Sequence, residues 1–156
     1  MQATYQHRQI GWLNLMAAGI VLVVALALLA TGDRLEPSPL TLGLALGVPA
    51  LLAGIFGSLR VEVDAKALRW RMGWLGWPRW ELPLSEIVAV SADRQSWMEG
   101  WGVRWTLRGM LYSVSGLQTV RVVQRNGKAL RIGTDDAQGL LQALQAHLPG
   151  PAASSR

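Results

Sequence analysis

A chain of 156 residues carrying 15 Lys and Arg, 10 Asp and Glu, no Cys and a net charge of +5 has room for one small domain, and excludes disulfides, thiolate nucleophiles and cysteine-held metal centres. Its basic residues are thirteen Arg and two Lys, and from Val61 onward twelve of them face eight acidic residues. On a domain tethered to a bilayer, a positive balance of that kind faces anionic headgroups first and nucleic acid only second.

In chain order the first signals are two uncharged runs, Gly11 to Gly32 and Leu40 to Leu59. Each has about the 20 apolar residues that cross a hydrocarbon core roughly 30 Å thick as a helix. The first is longer than the roughly 7–15 apolar residues of a signal peptide, and a second follows at once. The expectation is an α+β membrane protein. Residues 1–60 would hold a transmembrane helical hairpin, 61–148 a β domain, and 149–156 a loose tail. Arg8 precedes the first run and Arg60, Lys66, Arg69 and Arg71 follow the second, whereas the loop Asp33 to Pro39 offers only Arg34 beside Asp33 and Glu36. Lys and Arg near span ends stay on the cytoplasmic side, so both termini are expected there.

Small residues mark a face on each run. Gly43, Gly47, Ala50, Gly54 and Gly57 follow a 4-3-4-3 spacing, which is one stripe down a helix, and Gly11, Ala18, Ala25 and Gly32 recur every seven residues. Such seams allow the close backbone approach that drives helix pairing in lipid; equally, they are the ordinary composition of membrane helices. Pro49 predicts a kink. Asn14 stands alone as a polar amide in the spans, with no ionisable residue to form an ion path.

Beyond Arg60 the period changes from helical to two, as Arg69 and Arg71 alternate with Leu68, Trp70 and Met72. Strands are expected around Val61–Val63, Leu68–Met72, Arg79–Leu84, Ile87–Ala92, Val103–Arg108, Leu111–Ser115, Thr119–Gln124 and Ala129–Gly133. At Asn126-Gly127, a two-residue turn would set Val122 opposite Arg131. A three-residue loop from Arg125 to Gly127 instead pairs Val122 with Leu130 and Val120 with Ile132, which keeps the apolar face intact. That register puts Arg121 opposite Arg131, a like-charge pair that wants an anion or water. A last helix is expected from Asp136 to His147, capped by Thr134 or Asp135 and apolar at Leu140, Leu141, Leu144 and Leu148.

Short strands followed by one amphipathic helix suit a split barrel of about seven strands capped by that helix. The segments Gly100-Trp101-Gly102-Val103-Arg104-Trp105, Gly109, Tyr112-Ser113-Val114-Ser115-Gly116 and Arg131-Ile132-Gly133-Thr134-Asp135-Asp136 resemble the bacterial pleckstrin-homology-like (PH-like) proteins, in which two spans precede one such domain. The resemblance implies a PH-like barrel on the bacterial inner membrane, often in oligomers, and carries over no catalytic residue. The Trp content between Trp70 and Trp105 departs from it.

Strand alternation puts Arg69, Arg71, Arg104, Arg108, Arg121 and Arg131 in the polar phase, as candidates to meet lipid headgroups or merely to be solvated. Trp74, Leu75 and Trp77 fall at the first hairpin tip, either in the membrane interface or folded against the barrel mouth. Trp70 and Trp105 share the core phase. His7 and His147 lack an evident partner for general-base work, and helix capping accounts for Asp135 and Asp136. No phosphate loop, dinucleotide fingerprint or metal motif occurs, so no cofactor, metal, nucleic acid or small-molecule substrate is expected. The expected partners are membrane lipid and either copies of the chain or another membrane protein. The function expected is a non-catalytic binding or scaffold module, or else an accessory subunit of a transporter or membrane enzyme.

Overall fold

The computed structural model describes residues 5–31 and 38–148; the expected tail, Gly32 and residues 33–37 of the interhelical loop lie outside them. The elements run β1 (Tyr5–Ile10), α1 (Trp12–Thr31), α2 (Pro39–Phe56), β2 (Ser58–Val63), β3 (Ala67–Met72), β4 (Arg79–Pro83), β5 (Ile87–Arg94), β6 (Gly102–Thr106), β7 (Gly109–Ser113), β8 (Gln118–Gln124), β9 (Ala129–Gly133) and α3 (Ala137–Gln145). Both long helices are apolar enough to span a bilayer, and only 6% of each is buried. At 1.5 Å per residue their 20 and 18 residues reach about 30 and 27 Å.

The strands form two sheets and not one closed barrel. The first has the order β1-β2-β3-β4 and the second β5-β8-β9-β7-β6, with β7 and β9 parallel. The sheets share one core. Leu59, Val61, Leu68, Trp70 and Met72 from the first meet Val114, Val120, Val122, Leu130 and Ile132 from the second, with Leu140 and Leu144 of α3. Trp70 lies edge-on to Tyr112 at 5.2 Å between ring centres and stacks with Trp80 at 6.1 Å, so aromatic contacts help fasten sheet to sheet.

The expected register at the β8–β9 turn is present: Val120 faces Ile132, Arg121 faces Arg131 and Val122 faces Leu130. Helix α3 is capped by the Asp136 side chain, which accepts from the Gly139 amide, and not by Thr134 or Asp135. Trp105 departs from its expected place, being 79% exposed. It stands on β6, an edge strand of the second sheet. The quoted glycines answer backbone needs: Gly102 and Gly109 take φ of 117° and 111°, and a Cβ on Gly109 would lie 2.1 Å from the Ala129 carbonyl oxygen.

The N-terminal strand was not anticipated. β1 pairs along its whole length with β2, from Tyr5 opposite Val63 to Ile10 opposite Ser58, so the two helices are an insertion between neighbouring strands of one sheet. The β domain therefore takes in residues on both sides of the hairpin. The junction is closely tied. The Gly11 amide donates to the Gly57 carbonyl at 2.9 Å, and the Asn14 side chain donates to the carbonyls of Phe56 and Val114 at 3.1 and 3.0 Å. Ser115 Oγ donates to Ile10 and Gln9 Nε2 to Ser115. Asn14 thus joins both helices to the second sheet.

Helix α2 stops at Phe56, earlier than the expected Leu59, because Ser58 opens β2 and Leu59 enters the core. Of the seven-residue seam of α1, Gly11 and Ala18 are buried, Gly11 at the junction against Phe56 and Val114, and Ala25 is half-buried. On α2, Pro49 is buried and Ala45 half-buried. The glycine stripe of α2 does not meet that seam: a Cβ on Gly43, Gly47 or Gly54 would touch nothing within 4 Å, and Ala50 is exposed. Gly57 belongs to the junction, where an added Cβ would lie 2.9 Å from the Trp74 indole nitrogen.

Candidate functional site: an arginine row beside the helix ends

Residues directly opposite each other on a sheet share a face and a level. Arg8 on β1 lies opposite Arg60 on β2, Arg60 opposite Arg71 on β3, and Arg71 opposite Arg79 on β4. Four arginines therefore cross the outer face of the first sheet in one row, spanning about 14 Å at the usual strand spacing. The core pattern dictates their direction, since their neighbours Leu59, Val61, Trp70 and Met72 point inward.

One carboxylate reaches the row: Glu62, paired with Arg71. The Arg8 guanidinium sits over the Trp74 ring, 5.9 Å from its centre. Arg60 and Arg79 have no ion pair among the described residues. The next row along the same face differs. Gln6, Glu62, Arg69 and Glu81 are in register, and Arg69 there pairs with Glu81 and Asp64, so that row holds carboxylates for its own arginine. A groove of about 460 Å³, lined by Arg60, Arg69, Arg71 and Arg79 with Glu62 and Glu81, lies along these rows. A smaller one of about 140 Å³ adjoins it between Arg8, Arg60, Arg71, Trp74 and Leu75.

Chain position fixes the level of the row. Arg8 and Arg60 each stand four residues from the nearest helical residue, Trp12 and Phe56, about 13 Å of extended chain. The β3–β4 tip is at the same end. The Gly73 amide donates to the Ser58 carbonyl and the Trp74 amide to the Gly54 carbonyl at 2.8 and 3.0 Å, which hangs the tip from the last turn of α2. Trp74, Leu75 and Trp77 are 66, 92 and 68% exposed, so they do not fold against the sheets.

The other sequence candidates disperse. Arg69 and Arg71 are on the face just described. Arg104 is exposed and donates to the Glu99 carbonyl, Arg108 stands 3.8 Å from Asp93, and Arg121 projects from β8. Arg131 is wholly buried, which removes it from any headgroup surface. It is held by Asp93 at 2.9 Å, Glu99 at 2.8 Å and the Arg94 carbonyl at 3.1 Å. Of the Arg121–Arg131 pair, expected to want an anion or water, Arg131 meets carboxylates from β5 and the turn after it, and Arg121 is exposed. The Arg131 guanidinium holds the Glu99 carboxyl below its usual range. Arg8 was missed because its strand β1 shows no apolar periodicity, and Arg60 and Arg79 because their alignment with Arg71 rests on the β2–β3 and β3–β4 registers, which strand phase alone does not give.

Near the start of α3, His7 Nε2 contacts Asp135, and the Tyr5 hydroxyl donates to Asp136 at 3.0 Å. Burial and the adjoining Asp136 push the Tyr5 hydroxyl up. The Gly139 amide, with help from Tyr5, holds Asp136 down. These contacts tie β1 to the helix and bring no nucleophile to the His7–Asp135 pair. Among the described residues no group of three or more His, Asp or Glu could hold a metal ion. No protein-family model matches the chain, and no curated protein sequence does.

Proposed function

We propose that this chain is a membrane-held, non-catalytic binding module whose helical hairpin spans the bacterial inner membrane and whose β domain lies against the cytoplasmic leaflet, with both termini on that side. The observation that carries the reading is the insertion of the hairpin between paired strands β1 and β2. A flexible linker would let the domain swing free; here hydrogen bonds across Gly11, Asn14, Gly57 and Ser115 hold it at the helix ends. Basic residues flanking the spans support the orientation. The sequence resemblance to PH-like proteins agrees with a binding role, although a fold likeness alone names no ligand. Because the chain has no Cys, the reading can be tested with Asn126→Cys, at the β8–β9 turn. Intact cells should leave that thiol unlabelled by a membrane-impermeant maleimide, and opened cells should label it; labelling of intact cells rules out the orientation.

A second reading, an accessory subunit of a transporter or membrane enzyme, draws on the bare stripe of Gly43, Gly47 and Gly54. A partner helix could approach closely there. Mass determination after mild detergent extraction separates the two: a homo-oligomer supports the binding module, and a stoichiometric foreign subunit supports the accessory role.

A further inference from the structure

We propose that Arg8, Arg60, Arg71 and Arg79 form a seat for the phosphate of an anionic phospholipid. This rests on the membrane-held reading and goes beyond general charge attraction by assigning a site. Like charges directly opposite on neighbouring strands weaken a sheet, yet this sheet aligns four and lets one carboxylate, Glu62, reach them. The adjacent row, built on the same strands, keeps Glu81 and the neighbouring Asp64 on its own Arg69 and lends Glu62 to Arg71. The missing counter-charge is therefore particular to the row nearer the helix ends.

Guanidinium forks match phosphate oxygens two at a time, and the groove of about 460 Å³ lined by Arg60, Arg71 and Arg79, with Arg69 between Glu62 and Glu81 at its other side, admits such a group. The surroundings favour a lipid over a free anion. Exposed Trp74 and Leu75 border the adjoining groove, the Trp74 ring carries Arg8 on its face, and the tip hangs from the last turn of α2. An interfacial indole beside a phosphate seat fits a molecule that is polar at one end and apolar at the other.

The test uses full-length protein, stripped of lipid in a neutral detergent and offered phosphatidylglycerol or phosphatidylcholine under native mass spectrometry. Wild type should retain phosphatidylglycerol at least tenfold more tightly. The double variant Arg60→Gln/Arg79→Gln should bring that ratio within twofold, and Arg125→Gln/Lys128→Gln, at the β8–β9 turn, should leave it at the wild-type value. Without lipid, Arg60→Gln/Arg79→Gln should melt no lower than wild type, since it relieves like-charge contact, and it should lose the rise in melting temperature that phosphatidylglycerol confers. Equal retention of the two lipids by wild type, or a ratio that survives Arg60→Gln/Arg79→Gln, overturns the seat. Complete displacement of phosphatidylglycerol by millimolar inorganic phosphate overturns the lipid assignment. Flotation of each variant with vesicles of phosphatidylcholine alone reports membrane insertion separately, so loss of the seat and loss of the membrane-held reading give different results.

Discussion

Arg131 is the residue whose behaviour is easiest to misjudge from sequence. Its phase on β9 and its place opposite Arg121 were both legible, because the period of two and the Gly127 turn fix them. Its burial was not, since Asp93 and Glu99 come from segments more than thirty residues away and only folding brings them over it. Removing one partner from a buried ion pair leaves uncompensated charge. Arg131→Gln should therefore cost about 3 kcal/mol in denaturant unfolding, whereas Arg121→Gln, on an exposed site, should stay within about 0.5 kcal/mol. A Gln at position 131 that proves as mild as one at 121 would show that the pairs contribute little. The carboxylates add a pH signature. Glu99 is held down by Arg131, Asp64 by the Lys66 and Ala67 amides, and Asp136 by the Gly139 amide. Each is depressed in the fold, so its stabilisation is full above the ordinary carboxylate range and is lost as pH falls through the lowered values. Thermal midpoints should be flat from pH 8 to about 5 and drop below about 4. Glu99→Gln should lower the neutral midpoint and shrink the acid drop; a midpoint that climbs on acidification would contradict this.

At the scale of elements, the two long helices were readable from uncharged apolar length, and α3 and eight strands because their apolar residues recur at 3.6 or at 2. Strand β1 was not, since Gln6 and Arg8 alternate with His7 and Gln9 and leave no apolar face to see. Missing it hid Arg8's place in the arginine row and the way the hairpin is tied. The α2 stripe taught a related lesson: its spacing was real, but Gly57 serves the junction whereas Gly43 and Gly47 face nothing. Gly57→Ala should overpack the junction against Trp74 and Leu15 and cost about 1–3 kcal/mol. Gly47→Ala should change the melting temperature in detergent little or not at all. Equal effects at the two positions would remove the distinction between junction glycine and open stripe.

For the molecule as a whole, composition announced two spans and one basic domain, and the order of elements followed. Sheet closure did not follow, because whether edges join depends on pairings between distant segments; here they leave two sheets around one core. The central claim is that hairpin and domain form one body that presents the Trp74–Trp77 tip to the membrane interface and turns the β8–β9 loop away. A nitroxide placed on Leu75→Cys or on Asn126→Cys, in full-length protein in lipid nanodiscs, tests it by power saturation with oxygen against a water-soluble nickel chelate. The label at 75 should be relaxed mainly by oxygen and the label at 126 mainly by nickel. Nickel dominance at both positions would contradict the account.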